Sequence, residues 1–130
     1  MDSINVVAVI AATVAAFMAS GIYYAALAGP AARYSPAWAD PSGQPAWKLV
    51  QEPFRALVTV ALVATLCAAI GVSDVVDGLL LVGGLWVGFP AVLLVGSVIH
   101  ENVPWQLAVI HAGDWLLKLA IIGVIVGAWR

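Results

Sequence analysis

Three side chains near the end of the chain have the types and spacing to do chemistry. His111, Asp114 and Lys118 lie in the apolar run from Pro104 to Arg130. At 100° per residue they share one narrow helical face with Leu107, Ile122 and Ile125, while Gly113, Ala120, Gly123 and Gly127 fall on the opposite side. Asp114 and Lys118 are spaced i, i+4 with the acid nearer the N-terminus, the favourable order for a helical ion pair. His111, one turn earlier, adds a group that titrates near neutral pH. Lys118 would sit roughly 20 Å from either end of this run at 1.5 Å per residue, near the middle of a hydrocarbon core about 30 Å thick. An ammonium at that depth is costly against lipid and must face protein or water. The three groups permit a proton relay, a polar solute site, or a contact that fixes how subunits pair, and the residues leave these alternatives open.

Catalysis has little support. His100, Glu101, His111 and Asp114 are of metal-ligand types, but there is no H-x-x-x-H spacing and no cysteine cluster. No nucleophile motif or phosphate-binding glycine loop is present, so we assign no catalytic residue, no metal and no cofactor. The single cysteine, Cys67, lies inside an apolar run and reads as a small packing residue. A formal charge of −2, with no block of Lys or Arg, gives no footing for nucleic acid.

The elements that must carry these residues are membrane spans. Of the 130 residues 64% are hydrophobic and only 9% charged, and the mean hydropathy of +1.06 lies outside the range of soluble globular proteins. The pattern predicts one all-α integral membrane domain of four transmembrane helices, at about 4–28, 54–72, 78–100 and 104–129, with a polar loop over 29–53. The N-terminal run lacks a positively charged leader region and reads as a retained span. That span is rich in alanine (Ala8, Ala11, Ala12, Ala15, Ala16, Ala19), which favours close helix contact in lipid. Thr13, Ser20 and Tyr24 form its mild polar stripe, either supporting the charged face of the last helix or bonding to their own helix and the interface. In the third span Pro90 predicts a kink near Trp86 to Pro90. Gly84 and Gly88 there, and Gly123 and Gly127 in the last helix, are expected to form packing seams. Because charged and small residues occupy opposite faces of the last helix, one face is expected against its own bundle and the other against a second chain.

Several of these segments resemble a known family. Gly71-Val72 before a short polar turn, Leu85-Trp86-Val87-Gly88-Phe89, the turn from Ser97 to Trp105, Ile110-His111-Ala112-Gly113 and the closing Gly123 to Arg130 are similar to the small bacterial membrane proteins grouped as domain of unknown function seventeen sixty-one. The resemblance implies four spans and no particular chemistry. The resulting expectation is a non-enzymatic, self-associating protein of the cytoplasmic (inner) membrane, with an intramembrane site at His111, Asp114 and Lys118 that binds or moves a proton or small solute. The alternatives are an accessory or structural subunit of a larger membrane complex and, last, a membrane-embedded enzyme. The expected partners are the lipid bilayer and either further copies of the chain or that larger complex.

Arg33, Lys48 and Arg55 border the long loop, whereas the opposite side carries only Arg130. The positive-inside rule therefore predicts both termini outside the cytoplasm. Reporter fusions to the C-terminus that are active only outside the cytoplasm should be functional, and activity of the cytoplasmic reporter instead would reverse the assignment.

Overall fold

A computed structural model describes residues 3–129; Arg130, which enters the charge comparison above, lies outside them. Asn5 opens α1 (Val6–Ala32) by accepting the Val7 and Ala8 amide N–H groups on Oδ1 at 3.0 and 3.1 Å, two of the donors that a helix start leaves without partners. A four-residue helix, α2 (Pro36–Ala39), and a 3-10 turn (Pro41–Gly43) fill the polar connection. The next helix, α3 (Trp47–Ile70), starts within the expected loop and continues through Pro53. It stops at Gly71, whose φ of 74° is the left-handed geometry that glycine adopts without a Cβ penalty. Asp74 then accepts the Asp77 N–H at 2.9 Å and starts α4 (Val75–Trp86). A short turn thus joins α3 to α4.

Around Pro90, where a kink is expected, the structure has a π-turn, Val87–Ala91, which joins α4 to α5 (Val92–Glu101); such a turn does not in itself establish a bend in the helix axis. A proline lacks the N–H of the helical ladder, and a widened turn shifts the local bonding register around that gap. Asn102, at φ 55°, ends α5, and Pro104 leads into α6 (Trp105–Ala128). Four segments, Val6–Ala32, Trp47–Ile70, Val75–Glu101 and Trp105–Ala128, are long and apolar enough to cross a bilayer. The protein is all-helical and multi-pass. Its outer surface is apolar, with Val7, Ile10, Val14, Met18 and Ile22 exposed along α1 and Val92, Leu93 and Val95 along α5, as expected where the solvent is hydrocarbon.

The central element is α6, which packs against α1, α3, α4 and α5. On α1 the alanines at four-residue spacing, Ala8, Ala12 and Ala16, are buried; they bring α1 close to Val60, Val63, Ala64 and Cys67 of α3 and to Leu119, Ile122 and Val126 of α6. On the other side, α4 meets α6 through backbone. A Cβ on Gly78 would overlap the Gly123 carbonyl oxygen, one on Gly123 would lie 2.8 Å from Val82 Cγ2, and one on Gly127 would lie 2.6 Å from the Asp74 carbonyl oxygen.

This seam corrects two expectations. Gly84 and Gly88 have no atom within 4 Å of the position a Cβ would take, so the close contact of the third span is at Gly78 instead. Gly84 lies six residues beyond Gly78, about 240° around the helix, and therefore points away from α6. The glycine face of α6, expected to meet a second chain, is closed by α4 of the same chain. Inserting Gly78→Ala should lower stability by about 1–3 kcal/mol through overpacking, whereas Gly84→Ala should cost nothing. Unfolding in mixed micelles of a mild and a denaturing detergent would distinguish the two.

Candidate functional site

The polar face of α6 is opposed by one stripe of α1, and the two helices build a buried cluster. Asp114 is 2% exposed. Ser20 Oγ donates to its Oδ1 at 2.5 Å, and Lys118 Nζ lies 2.8 Å from its Oδ2. Lys118 also sits over the Trp115 ring, 4.4 Å from the centroid, an arrangement in which the ring face attracts the ammonium. The buried carboxylate thus keeps an opposite charge and a hydroxyl within bonding distance, which offsets its loss of water.

One turn toward the N-terminus of α6, the Tyr24 hydroxyl is 2.6 Å from His111 Nδ1. Tyr24 and His111 thus line the same cavity as Asp114 and Lys118. Above them Trp38 of α2 stacks on Tyr24 with ring centroids 5.1 Å apart. The short helix between the first two spans is therefore a cover for the cluster.

Two further bonds fix the frame through the backbone of α6. Tyr23 OH donates to the Ile110 carbonyl at 2.7 Å, and Trp86 Nε1 donates to the Ala112 carbonyl at 2.9 Å. Gly113 is what admits Tyr23, because a Cβ there would collide with the phenol oxygen. Each carbonyl can take a second donor because it has two lone pairs.

Beside this cluster lies a cavity of about 680 Å³ between α1, α3 and α6, within the range of small-molecule sites. Its mouth carries Trp38 and the exposed pair Glu52 and Arg55, joined at 2.8 Å. Its walls include Phe17, Ser20, Tyr24, Thr59, His111, Asp114, Trp115 and Lys118, and its floor is the buried pair Ala16 and Ile122. Among the described residues no three His, Cys, Asp or Glu side chains come together as a metal-binding group.

Of the residues singled out in the sequence, His111, Asp114, Lys118, Ser20 and Tyr24 all line this one cavity. Thr13 does not join them. Its hydroxyl bonds to the Val9 carbonyl of its own helix at 2.7 Å, the local bond that threonine readily makes within a helix.

The family profile matches residues 7–127. The chain belongs to the DUF1761 family of proteins of unknown function. No curated protein and no solved structure matches it, so membership of DUF1761 supplies kinship and the cavity alone supplies chemistry. Within this DUF1761 chain the residues missed by sequence reasoning are Tyr23, Trp86 and Gly113, which hold the frame, and Trp38, Glu52, Arg55 and Thr59, which border the cavity. The advance signal for Tyr23, Trp86 and Gly113 was an aromatic or small residue inside an otherwise aliphatic span, whereas Trp38, Glu52 and Arg55 lay in or beside the expected loop.

The ion pair generates a direct test. Removing Asp114 or Lys118 alone leaves a buried charge uncompensated and should cost about 3–5 kcal/mol, whereas Asp114→Leu with Lys118→Leu should recover most of that loss. Detergent unfolding of both single variants and the double variant measures this, and a Lys118→Leu protein as stable as the parent would show that the two groups do not neutralise each other.

Proposed function

We propose that this protein is a binding protein of the cytoplasmic membrane, which takes a small solute into the cavity between α1, α3 and α6 and holds it against the polar face of α6. The observation that carries this reading is the volume of about 680 Å³ directly beside Lys118 and Asp114. A pair serving assembly alone would need only a tight fit, whereas here both charged groups border a volume large enough for a small molecule.

The cavity's geometry favours binding over open conduction. Its lining runs from the exposed Glu52 and Arg55, near the polar connection, to the buried Ala16 and Ile122. Beyond Ala16 and Ile122 the bundle is filled by Ala12, Val60, Val63, Ala64, Cys67, Leu119 and Val126, and apolar packing of this kind leaves no polar path for an ion or proton to the far side. The Lys and Arg bias supports a cytoplasmic position for the polar connection, and on that reading the mouth opens to the cytoplasm.

Accessibility of engineered thiols tests both the cavity and its sidedness. In a Cys67→Ala background, a Thr59→Cys variant should react with a membrane-impermeant maleimide from the cytoplasmic face of oriented vesicles and not from the other, while Ala64→Cys should react from neither. Equal labelling of Thr59→Cys from both faces would replace the one-sided site with a conduit, and no labelling from either face would remove the cavity from consideration.

A further inference from the structure

The lining of the cavity also restricts what it can hold, and this inference rests on the binding reading above. The charged side chains that border it are Asp114, Lys118, Glu52 and Arg55, and each already has its opposite at 2.8 Å. The site is therefore electrically balanced when empty. An anion or cation placed in it would bring a charge with no partner into a medium of low dielectric.

Hydrogen-bonding capacity is not balanced in the same way. Both carboxylate oxygens of Asp114 are engaged, one by Ser20 and one by Lys118. The Lys118 ammonium has three N–H donors. One is directed to Asp114, and the face of Trp115 takes up part of the remaining charge; among the described residues no other acceptor is bonded to Nζ. Tyr24 OH and His111 Nδ1 are hydrogen-bonded to each other at 2.6 Å, which leaves the Lys118 ammonium as the donor that faces the cavity. The polar end of the cavity thus offers donors. Apart from Thr59 and the paired Glu52 and Arg55, the rest of its surface is mainly apolar or aromatic, including Phe17, Leu49, Leu94, Trp115 and Ile122.

We infer that the ligand is an electrically neutral molecule with an apolar or aromatic body and one hydrogen-bond-accepting head, such as a carbonyl, which Lys118 reads. Phe17 and Leu49 border the cavity and are also exposed on the outer surface, so a molecule of this class can reach the site from the bilayer as well as from water.

The test uses the full chain in lipid nanodiscs and three photoreactive probes of one shape: benzophenone, 4-carboxybenzophenone and 4-(aminomethyl)benzophenone. Adducts are mapped by mass spectrometry and expressed relative to labelling of the lipid-facing surface of α5 around Leu93, which corrects for partitioning into the bilayer. Neutral benzophenone should mark α1 near Phe17 and α6 near Trp115 at least about tenfold more than either charged probe, the factor equivalent to about 1.4 kcal/mol of discrimination. This labelling should be lost in the Asp114→Leu, Lys118→Leu double variant, which retains charge balance. Competition by dioleoylglycerol in the bilayer would identify a membrane source for the ligand, and competition by cyclohexanone in the buffer an aqueous one. Stronger relative labelling by a charged probe, or cavity labelling that survives in the double variant, would overturn the neutral-acceptor class while leaving a binding site in place. Labelling of the cavity by none of the three above the level at α5 would overturn the binding reading itself.

Discussion

A carboxylate without water in the interior of a bilayer needs compensating groups, and Asp114 receives them from two helices at once. Lys118 is supplied by the same helix one turn on, and Ser20 is supplied by α1. Because the second partner comes from another element, the rotation of α1 about its axis and its height beside α6 are both set by this contact. Ser20 then carries Tyr24 with it, one turn along the same stripe, to His111. The alanines at Ala8, Ala12 and Ala16 continue the stripe in the other direction, where close approach rather than bonding is required. One face of α1 thus changes from polar to small along its length, and the change divides the bundle into a half that is filled and a half that is hollow.

On its other side, α6 is held by contacts of a different kind. Gly78, Gly123 and Gly127 bring the backbones of α4 and α6 together, and in lipid such contact gains dispersion energy that bulkier residues would prevent. The result is a firm pair, α4 with α6, against which α1 and α3 complete the cavity. Burial of small residues and pairing of polar residues therefore do separate jobs on opposite faces of the same helix.

The architecture could be read from hydropathy because the length of an apolar run is a one-dimensional property and the bilayer tests only that. The grouping of His111, Asp114 and Lys118 was also legible, since helical spacing within one segment is known in advance. What the sequence withheld depends on how one helix is rotated relative to another. Gly84 and Gly88 make a better-looking glycine pair than Gly78 does alone, yet only the rotation of α4 decides which face meets α6. Thr13 sits on the same stripe as Ser20, yet it lies at a height where α6 offers no polar partner. Tyr23 could not have been assigned at all, because its acceptor is a main-chain carbonyl, and every residue has one.

That last feature bears on how this scaffold can change. The Tyr23 and Trp86 side chains fasten α1 and α4 to the Ile110 and Ala112 carbonyls of α6, atoms that remain whatever side chains those positions carry. Gly113 must stay small for the first of these ties, but neither tie uses a side chain of α6 as its acceptor. The fastening is thereby uncoupled from the contents of the pocket. A protein built this way can exchange the groups that face its cavity and acquire a different ligand while its helices keep their places.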